Sequence, residues 1–176
     1  DFANVRIEYS ANAGTNYTRT IVNSTSAGNL FYAWQNIPTD IVSANAKIKV
    51  TDANDILTLG ESAVFKVRGI FNLTSPNSGN EKWIVGTNQD ITWATVGNVA
   101  NVTLEYSLDG GNTWVVDKIA ENIPNNNLKT WTIPVLTTQS QVRVKVSDAN
   151  DAGAFDVSAA NFKIRGDLNI TAPTSS

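Results

Sequence analysis

The sequence predicts an all-β protein built from two tandem β-sandwich units. Three observations support this fold class: a stretch of residues that occurs twice, apolar residues that alternate with polar ones, and turn-forming residues between the alternating runs. Alternation with a period of two places one face of a strand inward and the other in water. No segment shows a convincing helical period of about 3.6 residues.

The repeat appears when segments about 97 residues apart are set side by side. The matching pairs are NVRIEYS at 4–10 with NVTLEYS at 101–107, Trp34 with Trp131, KIKVTDAND at 47–55 with RVKVSDAND at 143–151, FKVRG at 65–69 with FKIRG at 162–166, and NLTSP at 72–76 with NITAP at 169–173. From this register we assign residues 1–69 to an incomplete unit that lacks its first strands. Residues 70–166 form a complete unit, and residues 167–176 are the start of a next unit or an exchanged strand.

The complete unit has the strand spacing of an immunoglobulin-like domain. Val102, Leu104 and Tyr106 alternate with polar residues, and residues 142–146 and 162–165 alternate in the same way. About seven short strands separated by polar turns every 8–12 residues are typical of this β-sandwich. The chain contains no Cys, so tryptophan and tyrosine must supply the packing that a disulfide provides in antibody domains.

A family likeness rests on positions in the complete unit. These positions are Ser75-Pro76-Asn77, Glu81-Lys82-Trp83, Ile91-Thr92-Trp93, Gly111-Asn112-Thr113-Trp114, Trp131-x-Ile133-Pro134 and Phe162-x-Ile164. The pattern resembles an immunoglobulin-like repeat of bacterial surface and secreted proteins, which is related to a domain of fungal cell-wall-synthesis and Ser/Thr-rich GPI-anchored proteins. The resemblance implies an extracellular or cell-surface repeat and implies no catalytic residues.

Composition excludes several classes of function. With no Cys and no His, the chain has no thiolate or imidazole for a zinc site or a nucleophile–base pair. A glycosidase with two carboxylates needs neither residue, but no acidic pair stands out, so we predict no enzyme and no catalytic residue. A net charge of -3 and a pI near 4.8 argue against nucleic acid as a partner. No apolar run approaches the ~18 residues of a membrane span, so we expect no membrane insertion in this segment.

Two acidic loops are the only candidates for a bound cofactor, which would be calcium. The oxygen ligands on offer are Asp52, Asn54 and Asp55 in the first unit and Asp148, Asn150 and Asp151 in the second. Calcium takes six to eight oxygens, but the EF-hand spacing is absent. We therefore favour an Asx-rich turn between the last two strands and keep calcium as the alternative.

Charged residues mark the outer face of the last two strands in both units. The eight residues are Lys47, Lys49, Lys66, Arg68, Arg143, Lys145, Lys163 and Arg165. Glu8 and Glu105 lie outward on the strand expected beside them. We interpret this stripe as a solvated face with cross-strand ion pairs, each contributing about 0.2–1 kcal/mol. The alternative is a site for an anionic polysaccharide.

Residues 107–114, SLDGGNTW, fit the Asp-box pattern S-x-D-x-G-x-T-W. This is a hairpin device, in which the Asp holds the turn, the glycines allow positive φ and the Trp packs beneath. Residues 10–17, SANAGTNY, are a degraded copy. The box also recurs in sialidase propellers, but a propeller blade is about half as long as this repeat.

The first unit lacks the equivalents of residues 73–97, including the strand with Ile91 and Trp93. A sandwich without that strand exposes an apolar interior and an unpaired edge. Either a longer polypeptide contains the missing strands, or a neighbouring chain donates one. The segment Asn169–Ser176 is suited to donation because it matches Asn72–Gly79, but it is too short to replace everything, so we favour the longer polypeptide and keep head-to-tail assembly as the alternative.

These observations favour a structural role. We predict a repeat segment of an extracellular surface stalk, adhesin or filament, whose partners are neighbouring repeats or copies of itself. The alternative is a glycan- or protein-binding module of a secreted protein. Exposed coplanar tryptophan rings would favour the alternative, and Trp83, beside Lys82, is the best candidate for exposure.

The calcium alternative is tested by chelation. If the loop Asp148–Asp151 is an Asx turn, a chelator added at low ionic strength leaves the melting temperature unchanged, because no bound ion is lost. A melting temperature that falls with chelator and recovers with added calcium would assign an ion to the loop.

Overall fold

The described part of the chain folds into strands, as the alternation predicted, and one single-turn 3₁₀ helix. The computed structural model describes residues 2–168. Contacts divide the chain into two compact units, residues 1–69 and 70–176. The proposed start of a next unit falls mostly on residues 169–176, which lie outside the described residues.

Unit 1 is a single antiparallel sheet. Its strands are β1 (Asn4–Ser10), β2 (Arg19–Ser26), β3 (Ser43–Asp52), β4 (Leu59–Glu61) and β5 (Phe65–Val67), with the 3₁₀ turn at Ala27–Asn29. The strand order is β2-β1-β3-β4, and β5 pairs with the first half of β3. The central pair, β1 and β3, places Glu8 directly opposite Lys49.

Unit 2 contains two sheets. Its strands are β6 (Ile70–Ser75), β7 (Lys82–Ile84), β8 (Asn88–Val96), β9 (Asn101–Ser107), β10 (Ala120–Pro124), β11 (Leu128–Thr132), β12 (Gln139–Asp148), β13 (Asp151–Val157) and β14 (Phe162–Arg165). The larger sheet has the order β10-β9-β12-β14-β7, with β13 also paired to β12, and the smaller one has the order β11-β8-β6. Two facing sheets with this topology form the immunoglobulin-like sandwich that the sequence predicted.

The core of unit 2 comes from alternate residues of both sheets. Leu73 and Ile91 from the smaller sheet and Leu104, Val144 and Phe162 from the larger one are all fully buried. Their neighbours along each strand are polar and reach solvent, which is the arrangement that a period of two dictates. Trp131 adds an aromatic bridge, because its ring lies 4.9 Å from Tyr106 and 6.1 Å from Trp83.

Residues 128–132 form strand β11, whereas the equivalent residues 31–35 of unit 1 form no strand, because only β11 has a neighbouring strand. Residues 128–132 pair along their whole length with β8, where Trp131 lies opposite Gln89. In unit 1, Trp34 also packs on its tyrosine, with 5.7 Å between the rings of Trp34 and Tyr9. Residues 31–35 nevertheless form no strand, because the described part of unit 1 has no counterpart of β8 to supply hydrogen bonds.

Unit 1 therefore leaves part of its inner face uncovered. Val50 is 38% exposed and Phe65 is 37% exposed, whereas the equivalent Val146 and Phe162 are both at 0%. The buried core of unit 1 is correspondingly small and centres on Tyr9, with Ile41 and Ala46 beside it.

Val50 and Val146 form a matched pair of residues for measuring this difference. We expect Val146→Ala to lower the free energy of unfolding of unit 2 by about 2 kcal/mol, since it removes two buried methyl groups and leaves a cavity. Val50→Ala should cost less than about 1 kcal/mol, because the side chain is already partly in water. Urea unfolding in dilute solution measures both, and equal losses would contradict an open face.

Candidate functional site

The acidic loop of unit 1 forms consecutive turns held by its own carboxylates. Asp52 Oδ1 accepts a hydrogen bond from the Asn54 N–H at 3.0 Å, and Asp55 Oδ1 accepts one from the Leu57 N–H at 3.0 Å. The Thr58 hydroxyl donates to Asp55 Oδ2 at 2.7 Å. The hydrogen bonds from Thr58 and Leu57 lower the pKa of Asp55, and the bond from Thr58 has the larger effect. The calcium candidates of unit 1 thus serve as turn acceptors.

In the equivalent loop of unit 2, two aspartates accept the corresponding N–H hydrogen bonds and are less exposed to solvent. Asp148 Oδ1 accepts from the Asn150 N–H at 2.8 Å, and Asp151 Oδ1 accepts from the Gly153 N–H at 3.1 Å. Both aspartates are buried. Between residues 2 and 168, no group of three or more acidic side chains is close enough to hold a metal ion. Calcium binding at either loop stays a prediction for the chelation experiment.

The predicted charge stripe contains matching ion pairs in the two units. Lys49 Nζ lies 2.8 Å from Glu8 Oε2, and Lys145 Nζ lies 2.7 Å from Glu105 Oε2. In both cases the partners lie directly opposite on adjacent strands. Lys47 adds a pair with Glu61 at 3.0 Å. Cross-strand pairs of this kind contribute about 0.2–1 kcal/mol each, so they hold strand register more than they add stability.

Lys49 and Lys145 each also cover an aromatic ring. Lys145 Nζ is 4.3 Å from the ring centre of Trp114, and Lys49 Nζ is 4.3 Å from that of Tyr17. A cation over a ring at such a distance is attracted to it by about 0.5–1 kcal/mol at an exposed site. We name the groups Glu105–Lys145–Trp114 and Glu8–Lys49–Tyr17 the lysine clamps. Sequence analysis placed Trp114 beneath its turn but did not find that a lysine of another strand covers it.

The Asp-box segment of unit 2 folds into the predicted turn around Asp109. Its Oδ1 accepts hydrogen bonds from the Ser107 hydroxyl at 2.7 Å and from the Thr113 N–H at 2.9 Å, and its Oδ2 accepts one from the Thr113 hydroxyl at 2.6 Å. Gly110 and Gly111 have φ of 77° and 96°, which glycine adopts without steric cost. These bonds, those from Thr113 foremost, lower the pKa of Asp109 to about 2.

The degraded copy in unit 1 keeps the turn without the charge. Asn12 Oδ1 accepts from the Ser10 hydroxyl at 2.8 Å and from the Asn16 N–H at 2.9 Å, as Asp109 does in unit 2. The Gly14 N–H donates to Ser10 Oγ at 3.0 Å, matching Gly111 and Ser107. Asn16 replaces the threonine, so the additional hydroxyl bond is not made. The turn geometry thus survives in both units.

Glu81, another carboxyl group with a strongly shifted pKa, also holds a turn. Burial alone would raise the pKa of Glu81, but N–H bonds from Ser78 and Asn77 outweigh it and lower the pKa to about 2. These N–H groups lie 2.8 and 2.9 Å from Glu81 Oε1. Neither Asp109 nor Glu81 has the raised pKa of a general acid.

The tryptophans pack inward. Trp83, Trp93 and Trp131 are buried, while Trp34 and Trp114 are half-buried. Trp83, the best candidate for exposure in the sequence, is buried: Lys82 and Trp83 are adjacent on β7 and point to opposite faces, so Trp83 packs on Phe162 with 4.7 Å between the rings while Lys82 reaches solvent. The buried rings meet at tilted or edge-on angles, unlike the coplanar display expected of a sugar-binding surface.

The inner face of unit 1 is the remaining candidate surface, and it contains two apolar grooves. One lies between β1, β3 and β4 and is lined by Val5, Val50 and Leu59. The other lies between the same sheet and the segment around the 3₁₀ turn, where Leu30 and Phe31 line it. These two side chains are 93% and 77% exposed. Sequence analysis expected an apolar interior here but not its division into two grooves.

Comparison with known proteins finds similarity in fold only. No protein-family profile matches the chain, and no curated protein matches it significantly. Among solved structures, fibronectin(III)-like modules of Clostridium thermocellum CbhA share 13% identity at a TM-score of 0.37, over 94% of this chain and 79% of theirs. Three N-terminal domains of the bacteriophage RB49 outer capsid protein Hoc share 15% sequence identity with this chain at a TM-score of 0.30. The match covers 93% of this chain and 48% of theirs. Tandem Ig domains of titin share 10% sequence identity with this chain at a TM-score of 0.31, and the match covers 70% of this chain and 63% of theirs. Likeness at this level assigns no family or function, and the fold description stands on the chain's own strand topology.

Residues 2–168 contain no helix long and apolar enough to cross a membrane.

The Asp109 turn should make the stability of unit 2 depend on pH. The pKa is about 2 in the folded state and about 3.9 in the unfolded state. The carboxylate therefore stabilises unit 2 fully above about pH 4, and this contribution is lost as the pH falls through about 2. We expect Asp109→Asn to lower the melting temperature at pH 7 and to have progressively less effect toward pH 2.

Asn12→Asp is the reciprocal control, since it places a carboxylate in the same turn of unit 1. It should introduce a stabilisation that disappears in acid. Thermal melts followed by tryptophan fluorescence measure the first effect, because Trp83, Trp93, Trp114 and Trp131 lie in unit 2. An Asp109→Asn effect that is constant from pH 7 to pH 2 would contradict the ionic role of the turn.

Proposed function

We propose that this chain is a structural segment of an extracellular array of immunoglobulin-like repeats, as in a surface stalk, adhesin or filament, and that it has no catalytic role. The observation that carries the proposal is the parallel pairing of β7 with β14. Lys82 lies opposite Lys163, and Ile84 lies opposite Arg165. Strand β7 is the second strand of the unit and β14 is the last.

Parallel pairing of these strands favours resistance to pulling. Tension applied through the ends of unit 2 would draw β7 and β14 past each other, so the bonds between them would be loaded together rather than one at a time. Two such bonds are Val85 N–H to the Arg165 carbonyl and Lys163 N–H to the Glu81 carbonyl, each 3.0 Å long. Beneath them, Trp83 stacks on Phe162 and joins the same strands through the core.

The alternative, a glycan-binding module, has less support. Its strongest sequence signal was the set of five tryptophans, and these pack inward at angles unsuited to a flat sugar platform. The lysines of the lysine clamps are already paired with glutamates at 2.7 and 2.8 Å, which lowers their attraction for an anionic polysaccharide. The residues that suggested a ligand are therefore better explained as structural.

Single-molecule stretching of the whole chain tests the proposal. We expect the unfolding of unit 2 to release about 300 Å of chain, estimated from ~3.3–3.6 Å per extended residue less the folded length. Val85→Pro removes the N–H that bonds to Arg165 and should lower the unfolding force of unit 2. Val116→Pro, at an exposed loop residue, is the matched control and should leave the unfolding force of unit 2 unchanged.

An unfolding force that Val85→Pro does not alter would contradict the load-bearing role. Affinity electrophoresis through neutral and anionic polysaccharides examines the alternative in parallel. Retardation of the wild-type chain, abolished by substitution of Lys145, would favour glycan binding instead.

A further inference from the structure

The groove between β1, β3 and β4 is not covered by a strand of residues 2–168. Val5 and Val50 form its floor, and Leu59 and Gly60 form one wall. Within residues 2–168, β4 has no strand on its outer side. An apolar groove beside an unpaired strand edge offers both burial and backbone hydrogen bonds to an extended peptide.

Unit 2 shows what fills the corresponding position. Val102 and Val146, the equivalents of Val5 and Val50, are completely buried. Strand β6 packs there against β12 and β13. Its Leu73 is fully buried, and the Leu73 N–H donates to Asp156 Oδ2 on β13 at 2.7 Å. In unit 2 this position therefore holds a strand with one inward leucine, whereas unit 1 has Gly60 in the place of Asp156.

The chain contains a second copy of the sequence of β6. Residues 169–173, NITAP, repeat residues 72–76, NLTSP, so Ile170 corresponds to Leu73. Residues 169–176 follow Leu168, the last described residue, and only residues 166–168 separate this tail from the end of β14.

We propose that the segment Asn169–Ser176 of one copy of this chain binds the groove of unit 1 in a second copy, with Ile170 in the place that Leu73 takes in unit 2. The segment and the groove are different surfaces, so the contact is heterologous, and two copies joined by one contact still have one unused segment and one unused groove between them. Contacts of this type continue into open assemblies. The inference deepens the proposed structural role by naming the partner as a second copy.

Light scattering after size-exclusion chromatography of the full chain tests the inference. We expect the average mass to rise above 19.0 kDa as the protein concentration increases. Ile170→Asp puts a charge where an apolar side chain must be buried and should weaken association at least tenfold, about 1.4 kcal/mol. Thr171→Asp is the matched control, because its counterpart Thr74 is exposed on β6.

Leu59→Asp tests the groove, because Leu59 lines it. Ile56→Asp is the control. Both side chains are already more than half exposed, at 51% and 78%, so neither substitution empties a core. Leu59→Asp should give monomers, and Ile56→Asp should assemble as the wild type does.

Mixing the two monomeric variants is the decisive measurement. Ile170→Asp retains an intact groove, and Leu59→Asp retains an intact tail, so the mixture should form a species of two chains that grows no further. A wild-type chain that stays monomeric at every concentration, or a mixture that forms no dimer, would overturn the proposal.

Failure of self-association leaves the proposed load-bearing role intact. Stretching reports single molecules, and the bonds between β7 and β14 lie entirely within unit 2. The two ideas can therefore fail separately.

Discussion

Strand β8 determines how much of each unit becomes a sandwich. It pairs with β6 on one side and β11 on the other, and its Ile91 and Trp93 cover the larger sheet of unit 2. In unit 2, where β8 is present, Trp131, the equivalent of Trp34, lies on a paired strand and the apolar face is buried. The described part of unit 1 has no such strand, so residues 31–35 are irregular and Val50 meets solvent. One strand thus decides both the secondary structure of its neighbour and the burial of the opposite sheet.

The outer face is independent of that strand and is therefore nearly the same in both units. The ion pairs of Glu8 with Lys49 and of Glu105 with Lys145 are cross-strand contacts within one sheet. The turns around Asn12 and Asp109 are local hydrogen-bond networks. Such interactions need only two adjacent strands, whereas burial of an apolar face needs a second layer. This explains why unit 1 keeps its turns and lysine clamp although its core is small.

The two units contribute different features to the proposed structural role. Unit 2 joins its second strand, β7, to its last strand, β14, by parallel pairing, and this pairing supports the proposed transmission of tension along a chain. Unit 1 offers an apolar groove and an unpaired strand edge, which suits a joint that accepts a strand. The carboxyl groups of Asp109 and Glu81 have depressed pKa values because they accept hydrogen bonds in turns.

The sequence by itself determined the features that depend on short range and on repetition. The period of two along residues 142–146, the Asp-box pattern at residues 107–114 and the register of the repeat predicted strands, a turn and an incomplete unit, because each is a property of neighbouring residues or of a copied segment. Only the tertiary structure decided which side of a strand a given residue takes and what lies opposite it. The sequence left the exposure of Trp83 beside Lys82 open, and the structure packs it on Phe162, about 80 residues away along the chain. Lys145 covers Trp114 because β12 lies beside β9. These contacts arise when distant strands come together in space, and local alternation contains no information about which strands will meet.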